Sequence, residues 1–137
     1  MAPRSSRELR ALFSWFHQLE GDVIKIEAVV VREKVEEVMD AVTERTGHVG
    51  VTVIEAVGHG AQPGITHEYR GRVFESRFLP KALLVFVVDV ERADEVVEAI
   101  VEAARTGHES GDGIVWTTPV WSVVHHRTGL PLPEAAA

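Results

Sequence analysis

At 137 residues, with 45% apolar and 26% charged side chains, the chain has the length and composition of one soluble globular domain, which excludes a disordered or fibrous protein. A formal charge of −7 argues against a nucleic-acid binder, because cationic contacts to phosphate supply most of that affinity. The lack of any cysteine excludes disulfides, thiolate metal sites and cysteine nucleophiles, and no apolar run approaches the roughly 20 residues that span a bilayer.

In chain order, residues 1–21 read as a helical extension. Ser5 and Glu8 stand at capping-box spacing, and Leu9, Leu12, Phe13, Phe16 and Leu19 follow a 3.6-residue period until Gly21-Asp22 ends it. Arg4, Arg7 and Arg10 precede a short, broken apolar stretch without a small-residue cleavage site. The segment is therefore read as a helix and not a signal peptide, and the expected location is cytoplasmic. Its apolar face, with Phe13, Trp15 and Phe16, needs cover, and packing within the protein's own oligomer is the favoured reading.

A domain over 22–130 follows, with a short tail at 131–137. Val23 to Val31 is β-branched and apolar, with Lys25 and Glu27 alternating outward. Val35, Val38, Met39 and Val42 make one helix face, and Gly47 is placed to cap it. Val49 to Val57 predicts a second strand. The order then recurs: a strand over Leu83–Val90, a helix with Val96, Val97, Ile100, Val101 and Ala104 on one face, Gly107 as its cap, and a last strand over Ile114–Val124. Two such halves predict a ferredoxin-like split βαβ sandwich (βαββαβ), with two helices on one face of four antiparallel strands and a long loop between strands 2 and 3. Leu84 to Val88 are apolar without a break, so both sheet faces need cover, and a homotrimer is expected. On this reading Trp116 and Trp121 fall on opposite faces of one strand, as do the adjacent His125 and His126.

Two segments break the periodicity. Residues 58–80 open on Gly58-His59-Gly60-Ala61-Gln62-Pro63-Gly64 and continue through Thr66-His67-Glu68-Tyr69-Arg70-Gly71-Arg72. A loop of this length inside a compact domain is usually functional, and clustered glycines expose N–H groups that can cradle an anion. Residues 106–113 form a second glycine cluster at a helix C-terminus, without the helix N-terminus and lysine of a P-loop.

Together these segments resemble the PII signal-transduction family, from about Lys25 to Gly129. The resemblance is carried by Lys25-Ile26-Glu27-Ala28, Gly58-x-Gly60-x-Gln62, Tyr69-Arg70-Gly71, Phe78-Leu79-Pro80-Lys81, Ala103-Ala104-Arg105-Thr106-Gly107, Gly111-Asp112-Gly113, Pro119-Val120 and Arg127-Thr128-Gly129. It implies a trimeric sensor of nitrogen status that binds ATP or ADP in clefts between subunits. The implied nucleotide residues are Val29, Thr52, Gly58, Gly60, Val87, Gly111, Asp112, Gly113, His125 and Arg127. Thr52 lies where the family contacts adenine, the Gly111-Asp112-Gly113 turn cradles phosphate, and Arg127 reaches a neighbouring subunit's site. Gln62 matches the glutamine that chelates Mg²⁺ together with 2-oxoglutarate, and Lys81 matches the lysine that pairs with the 2-oxoglutarate carboxylate. The loop at 59–80, with Tyr69, Arg70, Gly71 and Phe74, would grip a membrane transporter or metabolic enzyme.

The chain also departs from that pattern. Phe74 stands where many members carry a uridylylated tyrosine, and a phenyl ring has no hydroxyl to modify. Ile114 replaces a phosphate-binding lysine, His125 an arginine and Val85 an acidic residue, while Ser110 reads as an insertion in the nucleotide turn. Fewer permanent cations point toward ADP, AMP or a small anion such as bicarbonate, as in carbon-linked relatives of the family. His125 reads as a pH-dependent replacement cation, since histidine titrates near pH 6.5. A divalent-metal site using His59 and His67 is the rival binding reading. No nucleophile motif stands out, and catalysis is not expected.

Overall fold

The computed structural model describes residues 22–59, 65–76, 78–107 and 112–131. The expected helix at the N-terminus, Gly60, Gln62, Ser110, Gly111 and the tail after Pro131 lie outside them.

Strand β1 (Val23–Val31) is followed by a 3₁₀ turn at Arg32–Lys34 and helix α1 (Val35–Thr46). Strand β2 (Thr52–Gly58) leads to a hairpin of β3 (Ile65–Tyr69) and β4 (Arg72–Ser76). Strand β5 (Leu79–Asp89), helix α2 (Val90–Ala104) and strand β6 (Gly113–Val120) complete the domain. The main sheet is antiparallel in the order β2-β5-β1-β6, and β3 pairs only with β4. This is the ferredoxin-like sandwich, with a small hairpin inserted between the second and third of its strands.

Strand periodicity decides what each face meets. Ile24, Ile26, Ala28 and Val30 of β1 and Ala82, Leu84, Phe86 and Val88 of β5 are buried. They form one core with Val38 and Val42 of α1 and Ala93, Val96, Val97 and Ile100 of α2. The alternate residues form rows across the open face. One row is Ile54, Leu83, Val29 and Ile114; the next is Thr52, Val85, Glu27 and Trp116. This face is half-covered at β1 and β5, and Ile54 and Ile114 at its edges are exposed.

Local chemistry fixes the helix ends. The Gly47 N–H donates to the Thr43 carbonyl at φ 77°, where glycine avoids a Cβ clash. Asp89 caps α2 by accepting from the Arg92 N–H at 3.0 Å. Between the helices Arg45 pairs with the buried Glu98 at 3.3 Å and also with Glu102.

Several expected boundaries move. The second strand starts at Thr52 and not Val49, and β5 starts at Leu79 and not Leu83. Helix α2 ends on an extended Arg105, so Gly107, at φ 85°, turns the chain two residues later and does not cap the helix. The last strand ends at Val120 and not Val124. Beyond it Val124 makes a single bridge to Pro131, the His125 N–H donates to the Leu130 carbonyl, and the Gly129 N–H donates to the His125 carbonyl. An apolar run told nothing of this reversal. As a result His125 and His126 lie in a tight hairpin, and Trp121 is 91% exposed instead of sharing a strand with Trp116.

Candidate functional site

The implied site residues fall into three places. The first is the turn between α2 and β6. The Thr106 hydroxyl donates to Asp112, which ties the end of the helix to the start of the strand. Gly113 sits at φ 104°, and a Cβ there would lie 1.8 Å from the Val29 carbonyl oxygen, so only glycine allows this approach. Under the turn is a mostly apolar cavity of about 350 Å³, lined by Val29, Val101, Ala104, Arg105, Asp112 and Ile114 among others. Val29, Asp112 and Gly113 thus share one pocket wall. Arg105 brings a cation that sequence reasoning did not single out. Ile114 places an exposed apolar side chain at the same wall.

The second place is the opposite sheet edge, at the base of the long loop. Gly58 pairs with Leu79, and the Lys81 stem packs over Gly58, where a Cβ would meet Lys81 Cγ at 3.0 Å. Lys81 is 7% exposed. Arg32 donates to the Ala56 carbonyl at 2.8 Å and to the Lys81 carbonyl at 3.3 Å, joining the ends of β2 and β5. Arg32 was missed in the sequence; its only signal was a cation just after a strand. The His59 and Phe78 rings meet at 5.9 Å across the loop base. Thr52 and Val87 face the open side farther along the same two strands.

The loop itself rises as the β3–β4 hairpin. Its two-residue turn is Arg70-Gly71 at φ 52° and 74°, the twist that hairpins favour. Arginine rarely adopts a positive φ. Its guanidinium lies 5.3 Å from the Tyr69 ring centroid, and Tyr69 is exposed. Tyr69, Arg70 and Gly71 therefore sit at the tip, while Phe74 lies within β4 opposite His67.

The third place is the hairpin after β6, which carries His125 and Arg127. The His125 Nε2 is buried, with no hydrogen-bond partner among the described residues. The first and third places lie at opposite ends of β6, since Gly113 pairs with Val30 and Val120 with Val23. Strand rise sets these ends about 24 Å apart.

The domain matches the family model described as nitrogen regulatory protein P-II over residues 23–130. The chain belongs to the PII family. It is 48% identical over 105 residues to nitrogen regulatory protein P-II 1 of Methanothermobacter thermautotrophicus, covering 77% of this chain and 90% of that one. It is 46% identical over 111 residues to nitrogen regulatory protein P-II of a Synechocystis strain, covering 81% and 97%. The crystal structure of Arabidopsis thaliana PII bound to citrate aligns with a TM-score of 0.65 at 30% identity, over 84% of this chain and 92% of that one. The relatives are named nitrogen regulatory proteins, and a general signalling role follows for this chain. Residues 1–22 lie outside the PII model. Among the described residues no helix is long and apolar enough to cross a membrane, and no three His, Cys, Asp or Glu side chains gather as a metal site.

Proposed function

We propose that the protein is a cytoplasmic homotrimeric PII regulator that binds an adenine nucleotide between subunits and acts on a nitrogen-linked transporter or metabolic enzyme through its β3–β4 hairpin. The separation along β6 supports this most directly. The pocket at Val29, Asp112 and Gly113 is about 24 Å from the end that leads to Arg127, so one chain does not bring them together. A second copy supplies the arginine. The apolar rows on the open sheet face give the copies a surface to share, and the exposed Tyr69-Arg70 tip gives the target a polar, aromatic handle. Lys81 and Gln62 would receive a dicarboxylate effector such as 2-oxoglutarate, with Gln62 contributing to any Mg²⁺ held there.

In this site the phosphate end has Arg127, with Ile114 and His125 where other members hold cations. Each charge-assisted contact is worth about 1.5–3 kcal/mol. ADP or AMP should therefore bind at least as well as ATP. The triphosphate should gain affinity as the pH falls from 8 to 6, because a protonated imidazole offers a charge and a second N–H. The His125 Nε2, buried without a partner among the described residues, supports a polar group arriving there.

Calorimetric titration with ATP, ADP, AMP, 2-oxoglutarate and bicarbonate tests the reading. Arg127→Ala should weaken nucleotide binding at least tenfold, or about 1.4 kcal/mol. His125→Arg should favour ATP and flatten its pH slope. Unchanged affinity in Arg127→Ala moves the phosphates elsewhere. ATP selectivity that is flat with pH in the unmodified protein removes His125 from the site. Bicarbonate binding beside AMP or ADP would favour a carbon-linked sensor.

A further inference from the structure

Arg32 opens the 3₁₀ turn after β1, at the end of the sheet where the long loop leaves and returns. Val31 pairs with Lys81 and Lys81 pairs with Ala56, so three strands lie side by side there. The Arg32 side chain runs across them. Its Nη2 donates to the Ala56 carbonyl at 2.8 Å and to the Lys81 carbonyl at 3.3 Å, and its Nε donates to the Lys81 carbonyl at 3.4 Å. Among the described residues no carboxylate pairs with Arg32, so its charge is directed at main-chain oxygens. Ala56 stands two residues before β2 ends at Gly58, and Lys81 two residues after β5 begins at Leu79. One guanidinium thus fastens both stems of the loop just inside its base.

We propose that Arg32 is a positioning residue: by holding a carbonyl on each stem it fixes the spacing of β2 and β5 at the loop base, and with it the course of the Lys81 side chain. That side chain depends on the spacing. It leaves β5, lays its stem over Gly58 of β2 and is only 7% exposed, so stems that part would uncover it. The ladder by itself is thin at this end, since beyond Ala56 only Val57 and Gly58 continue the pairing with β5. Arginine supplies what a lysine does not. Its Nε and Nη2 are coplanar donors on one edge of a rigid fork and reach two carbonyls at once, whereas an ammonium is a single point of charge. Charge-assisted bonds of this kind also hold better than neutral ones. The functional step rests on the reading of Lys81 as the effector's cation. Arg32 then raises affinity for a dicarboxylate by ordering Lys81 in advance, without touching the effector.

The test uses the full-length chain, whose only lysines are Lys25, Lys34 and Lys81. Acetylation rates at each are read by mass spectrometry, without any effector. Arg32→Gln and Arg32→Lys should both raise the Lys81 rate by about threefold or more, through more frequent opening of the stems. Lys25, which pairs with Val87 farther along the sheet, should react as before. An unchanged Lys81 rate in both variants would overturn the proposal. A slow Lys81 in Arg32→Lys alone would overturn it too, because charge without the fork would then suffice. Equal acceleration at all three lysines would reduce Arg32 to general stability and overturn it as well. Calorimetry with 2-oxoglutarate in the presence of ATP and Mg²⁺ reads the functional step. Both variants should bind 2-oxoglutarate about tenfold more weakly, while ATP affinity holds. Binding kept by Arg32→Lys and lost in Arg32→Gln would overturn the positioning role in favour of direct contact. Absence of 2-oxoglutarate binding in the unmodified protein would overturn the effector reading of Lys81, while a faster Lys81 in the variants would still support the hold on the loop base.

Discussion

Strands β1 and β5 have two faces built from nearly the same alphabet. On one, Ile26, Leu84 and Phe86 are sealed by the helices at 0–1% exposure. On the other, Val29, Leu83, Val85 and Val87 have no helix of the described residues above them and remain half-covered. Composition alone does not separate the faces; what packs on them does. Apolar residues on a face that the described helices leave open mark a surface made for another layer, which the proposed homotrimer would supply.

The largest expected effect breaks that comparison at a single step along β5. Phe86→Ala should cost about 3–5 kcal/mol, because the removed ring leaves a cavity among packed neighbours. Val85→Ala should cost less than about 1 kcal/mol in the monomer, where the side chain already meets solvent, and should act mainly on assembly. Urea unfolding at low protein concentration and light scattering separate the two. Equal unfolding costs would mean that the open face is as closed within one chain as the core.

The next effect lies at the pocket end. Gly113→Ala should destabilise by about 1–3 kcal/mol through its positive φ and the clash with the Val29 carbonyl. It should also abolish nucleotide binding if the cavity beneath is used. Retained binding would place the ligand elsewhere.

These contrasts explain how much was legible in advance. The alternation in β1 and the stripes of α1 and α2 named the elements because each follows one period with one buried side. The end of the last strand was not legible. Val123 and Val124 extend an apolar run, but the backbone turns after Val120 to form the hairpin at 124–131. The inserted β3–β4 hairpin was read only as a loop, since its strands are polar and pair with nothing but each other. Individual site positions were named through family resemblance. Their distribution over two sheet edges and two ends of β6 is a property of the pairing register, which no single segment of sequence contains. Arg32 and Arg105 were missed for the same reason: only the fold brings them to the loop base and the pocket.

A smaller effect sharpens the helix side. Asp89→Ala removes the acceptor for the Arg92 N–H and should cost about 1 kcal/mol, seen as a drop in Tm with the assembly unchanged. A loss several times larger would show Asp89 holding more than the first turn of α2.

The smallest effect probes the open face through a polar cluster in its central rows. Lys25 Nζ lies 3.0 Å from Glu27 Oε1, and the Trp116 indole N–H donates to the same oxygen at 3.3 Å. Lys25 and Trp116 both remain more than a third exposed, so water screens the pair in an isolated chain. Glu27→Gln should then change monomer stability by less than about 1 kcal/mol. In an assembled protein the same atoms lose that water. The neutral amide then leaves the Lys25 ammonium without its carboxylate in a drier place, a larger penalty than at a solvated surface. The assembly should therefore dissociate at higher concentration in Glu27→Gln while the dissociated chain unfolds nearly as before. Light scattering across a dilution series, paired with urea unfolding at the lowest concentration, reads both quantities. An unchanged assembly midpoint would mean that these three side chains stay wet, and that the copies meet on the apolar rows without enclosing them.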